Sequence, residues 1–178
     1  MRNLPHWTRW LIGLTLALGL LFSAGVVLAQ DATAASSSST LITILRHTHS
    51  LVRWLVVLTT IVAIVKLAMG YFNGGAYDAL TRRIMVIFSG VVTLQWVIGL
   101  IFLIAYGSVV GFGLRHFWEH LLVMTLALGL SHMHNSKRWR GLADRLRYRN
   151  SLLLVLGVLL LVIVGVALLP QGWRIAPA

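Results

Sequence analysis

The sequence predicts an all-α integral membrane protein, built as a four-helix transmembrane bundle that follows an N-terminal signal peptide or a fifth, anchoring helix. Of its 178 residues 58% are hydrophobic and four are acidic, and the mean hydropathy is +0.87. Soluble globular domains do not reach this composition. The apolar residues also collect into runs of about 20, the length at which a helix crosses a bilayer.

Net charge and cysteine content exclude several function classes. The formal charge of +11 comes from basic residues in short segments between apolar runs, where the positive-inside rule accounts for them better than nucleic-acid binding does. We therefore expect no nucleic-acid partner. The absence of cysteine excludes disulfides, thiolate metal sites, iron–sulfur clusters and covalently attached c-type haem. A metal or haem would rest on histidine, methionine or carboxylate ligands.

The first 40 residues carry a targeting pattern and a linker. Arg2 and Arg9 precede an apolar stretch, Leu11 to Leu28, and small residues suited to signal-peptidase cleavage follow it. We favour a cleaved signal peptide over residues 1–29, although the stretch is also long enough to remain as an anchor. Residues 30–40 form a linker rich in serine and alanine, whose last hydroxyls can cap a helix that begins near Leu41.

The rest of the chain, residues 41–174, divides into four predicted spans. An Asn-Gly-Gly break follows the first span, a glycine-rich turn over residues 107–113 follows the second, and a basic segment over residues 135–150 follows the third. The last span stops at Pro170. The spans are expected at about 41–71, 84–106, 116–134 and 151–169.

Basic residues predict the orientation of these spans. If the spans alternate in direction, residues 2–9, 66–83 and 135–150 share one side, which receives most of the lysines and arginines. That side is therefore expected to be cytoplasmic, and both ends of the four-helix core lie outside. The stretches RHTHSLVRW (residues 46–54) and HFWEH (residues 116–120) then share the outer side.

Histidines at the outer ends of the first and third spans, taken here as an antiparallel pair, predict a haem site. His49 or His47 on the first span and His120 or His116 on the third can approach one iron from opposite faces. The metal ligands we favour are His49 and His120. The alternative is that these side chains only meet lipid headgroups at the interface.

Two arginines and a second pair of histidines bear on this haem. Arg53, one turn after His49, and Arg115 are suited to pair with the two anionic propionates. His134 lies 14 residues after His120, on the same helix face, but the other core spans supply no histidine at that depth. We therefore expect one non-covalent bis-histidine haem b, with His132 and His134 as interfacial residues.

Glu119 and Gln95 have competing interpretations. HFWEH matches the H-x-x-E-H motif of zinc proteases, but a third protein ligand is lacking. We expect Glu119 to pair with Arg53 or Arg115 instead, because a carboxylate at that depth needs a partner. Gln95, in mid-span, is expected to bond a neighbouring helix or to contact the edge of a haem or quinone.

RHTHSLVRW and WEHLLVMTLALGLSHMHNSKR resemble a family of small four-helix bacterial membrane proteins labelled "cytochrome B", with an HxHSxxRW-like motif on the first core helix and an EH pair on the third. QWVIGL, residues 95–100, is similar to a further segment of that family. One difference is Thr93, where relatives often have a histidine. The resemblance implies haem ligation by His49 and His120, with His47 as an alternate and Arg53 in support, in a bacterial inner membrane.

Together these observations favour a b-type haem protein that transfers electrons in a respiratory or photosynthetic membrane. It would be an electron carrier or a subunit of an oxidoreductase that meets the quinone pool or redox partner subunits, and a quinone is a candidate second cofactor. One alternative is a cofactor-free accessory subunit of a larger membrane complex. Another is handling of copper or another metal by the outer histidines with methionine ligands, although these lie far along their spans: Met69, Met85 and Met124.

Overall fold

A computed structural model describes residues 34–170 and 172 of the chain, and these are helical, with no strand among them. The chain divides into two units, residues 1–43 and 44–178. The described residues of the first, 34–43, are helical. The predicted signal peptide or anchor over residues 1–29 lies outside the described residues. The elements are α1 (Ala34–Asn73), α2 (Ala79–Val110), α3 (Arg115–His132), a 3₁₀ turn (Met133–Asn135), α4 (Lys137–Arg140) and α5 (Asp144–Ala167).

Three of these helices are long and apolar enough to cross a membrane: α1 from Ser39 onward, α2 and α5. The chain is therefore all-helical and suited to a lipid bilayer. The helix α3 differs from the other three. It has 18 residues, and Arg115, Glu119 and three histidines near its ends lower its hydropathy.

The helices extend beyond the predicted spans. The first begins at Ala34, not near Leu41, because the alanines and serines of the expected linker include no glycine or proline to oppose a helix. The second continues to Val110, and the Phe112 ring then lies against Gly107, in the space that a side chain there would fill. The predicted break after Asn73 is confirmed, since α1 ends there.

Side-chain contacts show that successive long helices run in opposite directions. His49 of α1 meets Gln95 of α2, while Lys66 meets Asp78 just before α2. Tyr106 of α2 meets Phe117 of α3, while Thr93 meets His132. The start of α3 meets the end of α5. Consequently α1 and α3 run in the same direction, and the expected antiparallel relation between them was wrong, because the chain reverses twice between them. We call the end with His49 and the start of α3 the cavity end. We call the opposite end, where Tyr77 and Tyr148 lie, the tyrosine end.

The tyrosine end is closed by buried side chains that bond one another. Tyr148 is 2% exposed, and its ring fills the space beside Gly70, where any added Cβ would collide with it. Its hydroxyl donates to the carbonyl oxygen of Ala76 at 2.9 Å and lies 3.2 Å from the hydroxyl of Thr81. The neighbouring ring of Tyr77 is 4.8 Å away, centroid to centroid. These bonds join α5 to α2 and to the turn before it, while the Tyr148 ring packs against α1 at Gly70.

Asp78 fixes the turn between α1 and α2 at this end. One carboxylate oxygen accepts a bond of 2.7 Å from the backbone N–H of Thr81, the N-cap arrangement that satisfies a free donor at a helix start. The other pairs with Lys66 of α1 at 3.3 Å. Hydrogen bonds from the Thr81 hydroxyl and backbone N–H lower the pKa of Asp78 to about 2.

Candidate functional site

An apolar cavity opens at the cavity end, between α1, α2, α3 and α5. Aliphatic and aromatic side chains form most of the lining, and a few polar groups converge on it, which is the usual make-up of a small-molecule site. Residues that line it include His49, Arg53 and Val56 of α1, Gln95, Trp96, Gly99, Phe102 and Tyr106 of α2, Phe117, His120 and Met124 of α3, and Val162 and Val166 of α5.

His120 reaches the cavity from the second turn of α3. Its Nδ1 lies 2.6 Å from the carbonyl oxygen of Gly165 on α5. A carbonyl oxygen only accepts, so Nδ1 carries the proton and donates it, and Nε2 keeps a lone pair. A backbone carbonyl bonded to one ring nitrogen is a common way to orient a histidine that ligates through the other. His120 therefore lies in the cavity lining with a fixed ring orientation and a free Nε2 lone pair.

His49 reaches the same cavity from α1 and rests against two residues of α2. The Gln95 amide nitrogen lies 3.1 Å from the carbonyl oxygen of His49 and 3.2 and 3.3 Å from its two ring nitrogens. One turn later, Gly99 leaves room for the ring, since a Cβ there would lie 2.8 Å from Cε1 of His49. His49 and His120 line the same cavity.

The two predicted arginines differ in position. Arg53 lines the cavity, and its guanidinium donates to the hydroxyl of Ser50 at 3.4 Å. Arg115 lies outside the cavity lining, with its side chain 90% exposed, and pairs with Glu119 one turn later. Of the two expected partners of Glu119, the structure therefore shows Arg115.

The alternate histidines, His47 and His116, also lie outside the cavity lining. His47 is exposed on a shallow surface of α1 beside Leu51 and Trp54. His116 is half-buried, with its ring edge-on to Phe117 at 4.4 Å between centroids. Of the four candidate ligands, the structure brings His49 and His120 together in one cavity.

His132 and His134, the remaining histidines among the described residues, lie at the other end of the α3 segment. The helix ends at His132, and the 3₁₀ turn that follows removes His134 from the helix face it was expected to share with His120. His134 is 7% exposed and donates from Nδ1 to the carbonyl oxygen of Ser131, so it is a buried residue and not an interfacial one. His132 is exposed, with Nε2 at 3.4 Å from the Thr93 hydroxyl.

Sequence reasoning missed several cavity residues. Gln95 bonds a neighbouring helix, as expected, but its partner His49 was not foreseen. Met124, one turn after His120, lines the cavity, so this methionine is not far from the outer histidines. The available signal was spacing, because Gln95 with Gly99 and His120 with Met124 each fall on one helix face. Among residues 34–170 and 172, no group of three or more histidine or acidic side chains could hold a metal ion.

No family model matches the chain, and no curated protein or solved structure matches it. The resemblance to the "cytochrome B" family stays a prediction based on motifs.

Proposed function

We propose that the chain is a b-type haem membrane protein that transfers electrons, with one non-covalent haem b between His49 and His120. The observation that carries the proposal is that these two imidazoles, from different helices, line a single apolar cavity. Two axial nitrogens and an apolar enclosure are what a bis-histidine haem requires. When bound, such a haem supplies one-electron transfer.

The residues present fit such a group. Because Nδ1 of His120 donates to the carbonyl oxygen of Gly165, the Nε2 lone pair of that ring stays free. Gly99 has no side chain, which leaves room for the His49 ring. Arg53 brings a positive charge to the cavity lining, suited to a propionate. The apolar side chains around these groups exclude water, which strengthens electrostatic interactions inside the site.

We further propose that α1, α2, α3 and α5 form a four-helix bundle in a bacterial inner membrane, preceded by a signal peptide or anchor. The basic residues of α4 and of the first turns of α5 belong to the tyrosine end, and an excess of lysine and arginine favours the cytoplasmic side. The cavity then opens toward the outer side, where a quinone or a redox partner subunit can exchange electrons with the site.

A visible spectrum of the purified full-length chain tests the haem proposal. We expect a b-type band in the reduced-minus-oxidised spectrum and one haem per chain in a pyridine haemochrome assay. A well-folded chain without the band contradicts the proposal. Recovery of a stoichiometric, haem-free membrane complex would select the accessory-subunit alternative.

A second candidate is copper binding, and the position of Met124 favours it. This thioether shares the cavity with His49 and His120, and thioether with imidazole is a ligand combination that suits copper. Elemental analysis of the same preparation separates the two candidates. Stoichiometric copper with no haem band would replace haem, and haem without copper would remove this alternative.

A further inference from the structure

We infer that the tyrosine end binds the headgroup of an anionic phospholipid between Arg82 and Arg147. Both side chains contact Tyr77, one from the first turn of α2 and the other from the first turn of α5. The inference does not depend on the haem, because this site lies at the end of the molecule opposite the cavity.

Tyr77 fixes the positions of the two arginines. The Arg82 guanidinium donates to the backbone carbonyl oxygen of Tyr77 at 3.0 Å. The central carbon of the Arg147 guanidinium lies 4.1 Å from the centroid of the Tyr77 ring. Tyr77 itself is 5% exposed, and its hydroxyl lies 3.3 Å from that of Ser151. Two cations are therefore held against one buried residue.

The charges of both arginines are uncompensated. A carbonyl oxygen and an aromatic ring attract a guanidinium but do not neutralise it. Within the described part of the chain, neither Arg82 nor Arg147 forms an ion pair, and Asp78, the acid that follows Tyr77, is paired with Lys66. A guanidinium carries five N–H donors in a planar fork that matches the oxygens of a phosphate. A phosphate that accepts from both groups also removes the repulsion between them.

The depth and the surroundings of the site favour a lipid as the source of this phosphate. The helices α2 and α5 are apolar enough to cross a membrane, so the first turn of each lies where lipid headgroups lie. Leu80 and Leu146, close to the arginines in sequence, are exposed and suited to contact acyl chains. Basic pockets between membrane helices bind anionic headgroups. The partner that fits is an anionic phospholipid such as phosphatidylglycerol.

The test measures phosphatidylglycerol bound to the full-length chain in detergent by native mass spectrometry, with phosphatidylcholine of the same acyl chains as the neutral lipid. Ammonium acetate at about 0.2 M screens charges that do not touch the headgroup. We expect the wild type to bind phosphatidylglycerol in preference. The double variant Arg82→Gln/Arg147→Gln should bind it about 10–100-fold more weakly, because each arginine contributes a charge-assisted hydrogen bond.

The matched control is Arg83→Gln/Arg149→Gln, which removes the same charge from exposed positions on the same two helices and should retain the binding. Equal weakening in the two double variants, or equal binding of the two lipids by the wild type, overturns the inference. The basic end would then attract anions only through its diffuse charge.

Inorganic phosphate distinguishes the two sources of the headgroup chemistry. If it displaces phosphatidylglycerol at equal concentration, the site binds soluble phosphate and the lipid assignment is wrong. Thermal unfolding in detergent checks the fold of each variant. If the double variant fails to fold, Arg82→Gln, at an exposed position, is compared with Arg83→Gln, and the expected weakening is then about tenfold.

Discussion

The two ends of the molecule place their polar groups in different surroundings. At the tyrosine end, the hydroxyls of Tyr77, Tyr148 and Thr81 bond one another, Ser151 or the backbone, and large rings fill the space between helices. At the cavity end, polar groups of His49, Gln95 and Arg53 converge on open apolar space. Polar groups that bond one another across helices hold those helices together, whereas a few polar groups around open apolar space are the usual make-up of a small-molecule site.

This contrast also explains the unequal roles of the histidines. His120 and His134 lie at opposite ends of the α3 segment, and each donates from Nδ1 to a backbone carbonyl. The bond of His120 reaches another helix and leaves Nε2 beside a cavity, while the bond of His134 stays within its own turn. Similar local chemistry therefore gives a candidate ligand at one end and a buried residue at the other.

The largest expected effect separates the two ends directly. His120→Ala removes one of the two proposed ligands, so we expect haem per chain to fall at least about tenfold. His132→Ala, at the other end of α3, should leave haem content unchanged. A pyridine haemochrome assay on both purified variants measures this, and equal loss would mean that the ligand site was assigned to the wrong end.

A smaller effect is expected at Gly99. The Cβ of Gly99→Ala would lie 2.8 Å from Cε1 of His49, so the ring must shift, at a cost of about 1 kcal/mol, or roughly fivefold weaker haem retention. Gly90→Ala is the matched control on the same helix, because a Cβ there meets nothing within 4 Å. Haem transfer to a scavenger protein gives the two rates. If both variants release haem at the wild-type rate, the ring of His49 does not need this space.

A substitution at the tyrosine end should lower the free energy of unfolding and leave the cavity unaffected. Tyr148→Phe keeps the buried ring but removes the hydroxyl that donates to Ala76 and contacts Thr81. We expect a loss of about 0.5–1.5 kcal/mol in the free energy of unfolding, measured by denaturation in detergent, with an unchanged haem spectrum. A shift of the haem band in this variant would show that the two ends are coupled.

The smallest expected effect is a pH dependence at Asp78. Its pKa of about 2 in the folded chain lies below the ordinary value of 3.8, so its carboxylate stabilises the fold above pH 3.8, and this contribution is lost as the pH falls toward 2. The thermal unfolding temperature of the wild type should fall as the pH is lowered through this interval. Asp78→Asn should remove this fall from the plot of unfolding temperature against pH. Asp144→Asn, the matched control at the start of α5, should retain the fall.

Much of the fold could be predicted from the sequence, because long apolar runs and the glycines after Asn73 depend on local chemistry. Helix ends were less predictable, because helix propensity is a weak local preference. The helix α1 begins before the serines that precede Leu41, and α2 continues past Gly107. The site was predictable in part. His47 and His49 project from α1 about 200° apart, and the rotation of α1 against α2 decides which one faces inward.

The partners of these histidines could not be predicted from single motifs. Gln95 and Gly165 become important only because α2 and α5 bring them against His49 and His120. A glycine carbonyl is identical to every other carbonyl in the sequence, so tertiary packing alone selects it.

Gly165 is the feature with the widest consequence. Its carbonyl sets the tautomer of His120, and its missing side chain leaves the space that the end of Met124 occupies. A substitution keeps this carbonyl, so in a saturation mutagenesis screen scored on haem content we expect the position to respond to side-chain size alone. Alanine displaces the flexible end of Met124 and should be tolerated, whereas larger side chains should lower haem content.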